Sequence, residues 1–342
     1  MHIVCLQRMN ILGIESSCDE TAAAVLKDGQ DILSSVIVSQ FDDHEIFGGV
    51  VPELASRSHV KAIYPVIEKA LSDANLSLKN IDGIAVTQGP GLIGSLLVGY
   101  TFAKSLAFAN SIPFVGVHHI EGHLASAMML TQEQHYPALG LVVSGGHSHI
   151  YYVKEPGNYE LVGYTRDDAV GEAFDKAAQI LNLGFPGGPA IEKAAQNGNK
   201  KFVKFPRTKL EQNPKAYEYS FSGIKTSLAY HVRDHQDHLH QHTHDLAASF
   251  QQALVDMILY PLDFAIKDLA PKSLLLCGGV ARNSLLRESL AQFSQQHQLD
   301  FFVPDFHLCT DNAVMIAAAG YPKLKQGHCD SFDQAPKASM LF

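Results

Sequence analysis

The sequence contains no tryptophan and no C-x-x-C pair, and its five cysteines, Cys5, Cys18, Cys277, Cys309 and Cys329, are scattered. An odd, unpatterned set excludes a disulfide framework and a zinc ribbon, and is the thiol usage of a reducing compartment. No G-x-x-x-x-G-K-[ST] occurs, which removes the P-loop class. Basic residues are in deficit, 26 Lys and Arg against 35 Asp and Glu, for a formal net charge of -9. Broad, autonomous nucleic-acid binding runs on phosphate neutralisation and is disfavoured by that balance, whereas a local basic patch is not. Long apolar runs are also missing. The most membrane-like stretch, Gly94 to Val117, is broken by Lys104, Asn110 and Pro113, and reads as a buried helix followed by a strand. The opening MHIVCLQR is a poor signal peptide. Met9 opens the run MNILGIESS, so residues 1–8 read as a start-site artefact or a short frayed extension. A cytoplasmic protein with no membrane partner is expected.

What is present is an ordinary globular composition, 46% hydrophobic and 18% charged over 342 residues, enough for two domains or lobes. Residues 11–14 are apolar, then comes ESSCDET, then AAAVL: strand, small-hydroxyl turn, strand. A second copy follows at LGLVVS (139–144), GGHSH and IYYV (150–153). Two such hairpins in separate halves predict an internally duplicated α/β fold. Strands are expected at 81–88, 113–117, 273–277 and 301–304, with a wholly buried helix over 95–109. Further helices are expected over 167–183, from Ala281 onward, and over NAVMIAAAGY, the last capped by Thr310 or Asp311. FPGGP (185–189) carries helix breakers. Alternating strands and helices build parallel-type sheets covered by helices.

Gly89, Gly91 and Gly94 in GPGLIG have the spacing of a dinucleotide fingerprint. That fingerprint wants an acidic residue about 20 positions on, and none stands between Asp82 and Glu121. The glycines instead let the backbone turn tightly into a closely packed helix. Phosphate has other candidate holders: Ser16, Ser17 and Thr21 in the first turn, Ser144, Gly145 and Gly146 in the second. Facing nests of this kind grip an anion; alternatively both are only tight hairpins. Gly278 and Gly279 allow close approach of a nucleotide to the backbone.

HHIEGH (118–123) is the sharpest signal. His119 and His123 are i, i+4, so on a helix both imidazoles lie on one face, close enough to share a metal, although a lone H-x-x-x-H is not specific for one. His118 is out of that register. A zinc protease needs Glu directly after the first His; here Glu121 stands two after His119, roughly 200° round the helix, and points away. Asp311 is either a third ligand or a helix N-cap. Two His and one carboxylate leave positions open and suit Fe(2+) or Zn(2+). The tract HVRDHQDHLHQHTHD (231–245), with His231, His235, His238, His240, His242 and His244, reads as a solvated helix end, against a metal tract as the alternative. Lys193, Lys200, Lys201, Lys204, Arg207 and Lys209, set around Phe202 and Phe205, suit a nucleic-acid backbone and an unstacked base, or simply a solvated face.

GIESSCDET, GGVVPELASRSH, GPGLIGSLLVG, HHIEGH, LVVSGGH, AVGEAFDKAA, FPGGP, YSFSGIKT, CGGVARN and CTDNAVMIA occur in that order between about residues 10 and 320. Together they resemble the tRNA N6-adenosine threonylcarbamoyltransferase (TsaD) family. The resemblance implies an actin-like ATPase (ribonuclease H-like) duplicated two-lobe α/β fold with a central cleft. The N-terminal lobe would be 1–119, with 320–342 packing back on it, and the C-terminal lobe 120–319. It implies transfer of threonylcarbamoyl from threonylcarbamoyl-adenylate to N6 of adenosine 37 in tRNAs reading ANN codons. Carried over by motif, His119, His123 and Asp311 would hold one metal, iron or zinc. Val142, Val143, Ser144, Gly145 and Gly146 would line the substrate, Asp175 and Gly188 would lie near the ribose, and Asn283 would contact the adenylate. ATP or an adenylate-type nucleotide, an inactive paralogue subunit and a small P-loop ATPase are the implied partners beside tRNA. No covalent nucleophile is required, and Cys18 is expected to be structural. The tail QAPKASMLF lacks the R-P-R-W-P-like ending of many relatives, and the His-rich insert is atypical. The rival readings are an actin-like small-molecule kinase, which needs no His pair, and an inactive nucleotide-binding scaffold, against which the retained His119, His123 and Asp311 speak.

Overall fold

The computed structural model describes residues 8–45, 47, 49–211, 216–235 and 239–341; Cys5, His238 and the side chain of His240 lie outside what it describes. The chain divides into two compact units, Met1–Met129 with Thr310–Phe342, and Leu130–Cys309.

In the first unit, β1 (Asn10–Glu15) pairs antiparallel with β2 (Glu20–Lys27), which pairs antiparallel with β3 (Asp31–Ser39). On its other edge β1 pairs parallel with β4 (Gly83–Gly89), and β4 with β5 (Phe114–His118). The five-stranded order is β3-β2-β1-β4-β5. Both faces of β1, β2 and β4 are buried, which is why these strands read as unbroken apolar runs. The short α1 (Phe41–Glu45) leads towards α2 (Pro52–Asp73), and α2 and α3 (Ile93–Asn110) share a core with the sheet that includes Leu12, Ile14, Val86, Ile63 and Tyr100. Against other residues of the sheet lies α11 (Ala313–Lys325), and α4 (His119–Met128) packs on α11. A Cβ on Gly13 would stand 2.2 Å from the Ala313 carbonyl oxygen, so only glycine lets that helix sit so low on β1.

The second unit repeats the plan. Central β6 (Ala138–Val143) pairs antiparallel with β7 (Ser148–Glu155), and β7 antiparallel with β8 (Asn158–Thr165). Parallel to β6 runs β10 (Ser273–Cys277), followed by β11 (Asp300–Phe302). The short β9 (Tyr217–Tyr219) extends the β8 edge. Its helices are α5 (Val170–Ile180), α6 (Gly187–Ala195), α7 (Ser222–Asp234), α8 (Leu239–Leu269), α9 (Ser284–Gln296) and α10 (Phe306–Cys309). Two antiparallel strands, a central one and two parallel ones recur in both units, so the duplication expected from the two hairpins is present as topology.

Several expectations are corrected. α3 is not buried all round: Leu96, Tyr100, Ala103 and Ala107 face the core, while Leu97 and Phe108 are 48% and 73% exposed. FPGGP does not only stop a helix, since Gly187 begins α6. The helix expected from Ala281 starts at Ser284, because Gly279–Arg282 forms a 3-10 turn and Asn283 is the cap. The chain leaves the first unit after Met129 and returns at Thr310. Boundaries at 119/120 and 319/320 would divide α4 and α11, each of which belongs whole to the first unit. Among the described residues no helix is long and apolar enough to cross a membrane, and Cys18, Cys277, Cys309 and Cys329 are free.

Candidate metal centre

Strand β5 runs directly into α4, and His118 makes the turn. Its Nδ1 accepts from the Ile120 N–H at 3.2 Å, the side-chain cap of that helix, while its Nε2 donates to the Met340 carbonyl at 3.1 Å. One turn of α4 then places His119 and His123 on one face. They are 7% and 1% exposed, with ring centroids 4.7 Å apart. Asp311 Oδ1 stands 3.5 Å from His119 Nε2 and 3.2 Å from His123 Nε2. One ligand atom from each of the three lies within 4.8 Å of the others. The alternative of Asp311 as helix cap does not hold. Asn312 Oδ1 accepts from the Met315 N–H at 3.0 Å and caps α11, which leaves the Asp311 carboxylate turned to the histidines. Glu121, on the other side of α4, is paired with Lys323 at 2.7 Å, so it does not serve as the base of a zinc protease.

The first hairpin turn supports this trio and does not hold out its hydroxyls. Ser16 Oγ donates to the Ser95 carbonyl at 3.0 Å, Ser17 Oγ lies 3.2 Å from His119 Nδ1, and Thr21 Oγ1 lies 2.7 Å from His59 Nδ1. All three serines and threonines are buried; the anion-gripping reading of this turn is therefore corrected for its side chains. Gly91 is where GPGLIG meets the turn: a Cβ there would stand 2.6 Å from the Ser17 carbonyl oxygen. Two residues that the motif reading overlooked complete the support. Glu15, fully buried at the end of β1, lies 3.2 Å from His119 Nδ1. His59 on α2 bonds Thr21 and, through Nε2 at 2.9 Å, the Cys18 carbonyl. A carboxylate ending an otherwise apolar strand was the only sequence signal for Glu15.

Acidic groups dominate the surroundings. Burial pulls His119 down, but Asp311 and Glu15 outweigh it and push its pKa up to about 9. Burial, Asp311 and Asp19 push Glu20 well above the usual carboxylate range. The Cys18 thiol is driven far up by burial and by Asp19 and Asp311, so it stays protonated and is no nucleophile. Neither ring nitrogen of buried His123 makes a hydrogen bond; its Nε2 is near Asp311 Oδ1 without a bonding angle. Two imidazoles, one carboxylate, surplus negative charge and an unbonded buried imidazole together fit a divalent cation of the iron or zinc type.

In the second unit, the glycine turns gather where β6 and β10 end side by side, with Val142 opposite Cys277. Val142 and Val143 are buried strand residues, so their side chains belong to the core. The Ser144 N–H donates to the His147 carbonyl at 2.8 Å, closing the turn. Gly145 and Gly146 are exposed with open space where a Cβ would be. Gly171, at the start of α5, packs against Ser144 and Gly145, and Gly278 packs against Val143. Asp175 Oδ1 accepts from the Gly187 N–H at 2.7 Å, which ties α5 to the beginning of α6 beside Gly188. Burial raises the Asp175 pKa, reinforced by Glu172 and opposed by the Gly187 hydrogen bond. Asn283 Oδ1 accepts from the Leu286 N–H at 3.0 Å and its Nδ2 donates to Gln251, so the side chain is engaged in shaping the turn.

The basic stretch does not offer two rings. Phe205 is 1% exposed in the core against Phe250, Arg207 pairs with Asp256 at 2.8 Å, and Lys209 lies over Tyr260. Phe202, 39% exposed, stacks on His242. Nor is the histidine tract solvated throughout. His231 stacks on His235 with centroids 4.4 Å apart, His244 Nδ1 donates to the Ala194 carbonyl at 2.7 Å, and His231, His235 and His242 line an apolar cleft of about 200 Å³ with Phe202 and Leu246.

Residues 31–318 match the family model described as tRNA N6-adenosine threonylcarbamoyltransferase, TsaD. The chain belongs to that family. A tRNA N6-adenosine threonylcarbamoyltransferase of Syntrophus aciditrophicus is 49% identical over 320 residues, 93% of this chain and 94% of that relative. Its counterpart in Caldicellulosiruptor saccharolyticus is 48% identical over 325 residues, 95% and 96% of the two chains. Among solved structures, component A of the Acidaminococcus fermentans (R)-2-hydroxyglutaryl-CoA dehydratase matches with a TM-score of 0.53 at 14% identity, covering 92% of this chain and 98% of that one. The ROK hexokinase of Thermus thermophilus matches at 0.50 and 16%, covering 93% and 100%. Those two likenesses carry the fold, the actin-like ATPase α/β plan. Family membership makes the chain an acyltransferase that acts on tRNA.

Proposed function

We propose that the chain transfers the threonylcarbamoyl group of threonylcarbamoyl-adenylate to N6 of adenosine 37 in tRNAs reading ANN codons, with a divalent metal held by His119, His123 and Asp311. The observation that carries the reading is the convergence of those three residues in a chain of this family. When bound there, a divalent ion polarises a carbonyl or phosphate oxygen as a Lewis acid. His119 and His123 supply neutral nitrogen ligands and Asp311 the anionic one, while Glu15 and Asn312 aim their supports. In the second unit, Gly145 and Gly146 leave room for phosphate against main-chain N–H groups, and Gly278 keeps the neighbouring strand end low. Asp175 and Gly188 stand for the ribose side of the nucleotide, and Asn283 holds the shape of the turn that receives the adenylate. The adenine amine is a weak nucleophile, so AMP as a leaving group and close positioning supply most of the rate. A protonated Cys18 and the engaged Ser16, Ser17 and Thr21 support a direct transfer with no covalent enzyme intermediate.

Iron is the favoured metal and zinc the alternative. Binding of tRNA by so acidic a chain calls for help, which fits a complex with an inactive paralogue and a small P-loop ATPase in the cytoplasm. The kinase reading has no use for the buried His pair, and a scaffold subunit has no need to keep all three ligands. The test is mass spectrometry of nucleosides from tRNA incubated with the protein, its partner subunits, threonine, bicarbonate and ATP. Threonylcarbamoyl-adenosine is expected; its absence overturns the assignment.

A further inference from the structure

Glu15 takes no part in the metal trio, yet a carboxylate with no exposed surface at the heart of a sheet is costly unless its oxygens are satisfied. They are. The Ser17 N–H donates to Oε1 at 2.5 Å, the Thr87 hydroxyl donates to Oε2 at 2.5 Å, and His119 Nδ1 lies 3.2 Å from the same Oε2. Donors on β1's own turn and on β4 thus aim the carboxylate at the imidazole. The two ends of the His119 ring have different company: Nδ1 faces Glu15, and Nε2 faces Asp311. His123 is built differently, since its Nδ1 has no hydrogen-bond partner.

We propose that Glu15 is a positioning residue for the metal site: it accepts the Nδ1–H of His119, fixing the tautomer whose Nε2 lone pair points at Asp311 and His123 and locking the ring's angle. With a cation in place of the second ring proton, an acceptor-only group opposite Nδ1 leaves the remaining proton no other place. The same hydrogen bond makes Nε2 more basic and a better ligand. Ser17 Oγ, also 3.2 Å from Nδ1, can donate or accept and so selects no tautomer. The inference rests on the metal-site reading above.

Glu15→Gln is the discriminating variant. The Ser17 N–H holds the amide oxygen on its own side, which turns the amide NH2 towards His119 Nδ1. The ring is then pushed into the Nε2–H form, which has no lone pair for a metal. Affinity for Fe(2+), Zn(2+) and Co(2+), measured by chelator competition, is expected to fall roughly 10–100-fold, with an altered visible spectrum of the Co(2+) form. The variant is compared in its folded form, shown by a cooperative thermal transition without metal. If Glu15→Gln does not fold, Thr87→Val keeps the carboxylate but removes a donor that aims it, and must also weaken metal binding. Unaltered affinity and spectrum in the folded variant overturn the role of Glu15. Absence of metal binding by the unaltered protein overturns the metal site itself, a separate result.

Discussion

Ser17 shows how closely single residues are fitted around this centre. Its carbonyl accepts the Leu92 N–H at 2.8 Å, its amide is held by Glu15, and its hydroxyl touches His119. All of this depends on position 91 having no side chain. Gly91→Ala would set a methyl against backbone, which cannot rotate away, and overpacking of this kind costs roughly 1–3 kcal/mol. Thermal denaturation should show that loss, and metal affinity should drop with it because the displaced Ser17 drags Glu15 and His119. A variant with unaltered melting temperature and metal affinity would show that the turn is looser than described. The histidine pair was legible from spacing, because i, i+4 on a helix needs no tertiary information. The roles of Asp311 and Asn312 were not: both residue types cap helices, and only the structure shows that Asn312 bonds Met315. Glu15 and His59 were equally hidden, because the groups that give them meaning lie 104 and 41 residues away.

Helix beginnings do much of the positioning at the next scale. α4 is capped by His118, α9 by Asn283 and α11 by Asn312, while α7 is started by a residue outside it. Asp167 accepts from the Phe221 and Ser222 N–H groups at 2.7 and 3.2 Å and from the hydroxyls of Ser220 and Ser222. Against some burial, these hydrogen bonds hold its carboxyl below the usual range. Because the folded value lies below the unfolded one, the contribution is fully present above about pH 4, the unfolded value, and fades as pH falls through the folded one. Asp167→Ala should therefore cost about 1 kcal/mol at neutral pH and progressively less in acid, measured by denaturant unfolding at several pH values. An equal cost at pH 7 and pH 3 would contradict the capping role. Strands and helices were read well wherever local periodicity ruled. Helix ends were not, since the 3-10 turn at Gly279–Arg282 and the start of α6 at Gly187 depend on glycine packing against distant backbone.

At the scale of the whole chain, the duplicated plan was visible as two hairpins of similar pattern, and the two sheets repeat one strand order. What periodicity missed was long-range packing. Phe205 looked like a stacking platform and is core; the histidine tract looked solvated and partly lines a cleft. The tail was equally unreadable. The Lys337 N–H donates to the Gln88 carbonyl, the Gly91 N–H to the Ala338 carbonyl, and Phe332 stacks on Phe114, so the last residues bind the strand ends beside α4. Within the first unit, the caps of α4 and α11 and the carboxylate of Glu15 converge on two buried histidines and the partly buried Asp311. The most direct test of this trio's role is the yield of threonylcarbamoyl-adenosine in tRNA treated with the unaltered protein and with His123→Ala, at equal folded concentration and with the same partner subunits. The account predicts product with the first and a loss of at least about 100-fold, together with loss of bound metal, in the second. Full product formation by His123→Ala would contradict it.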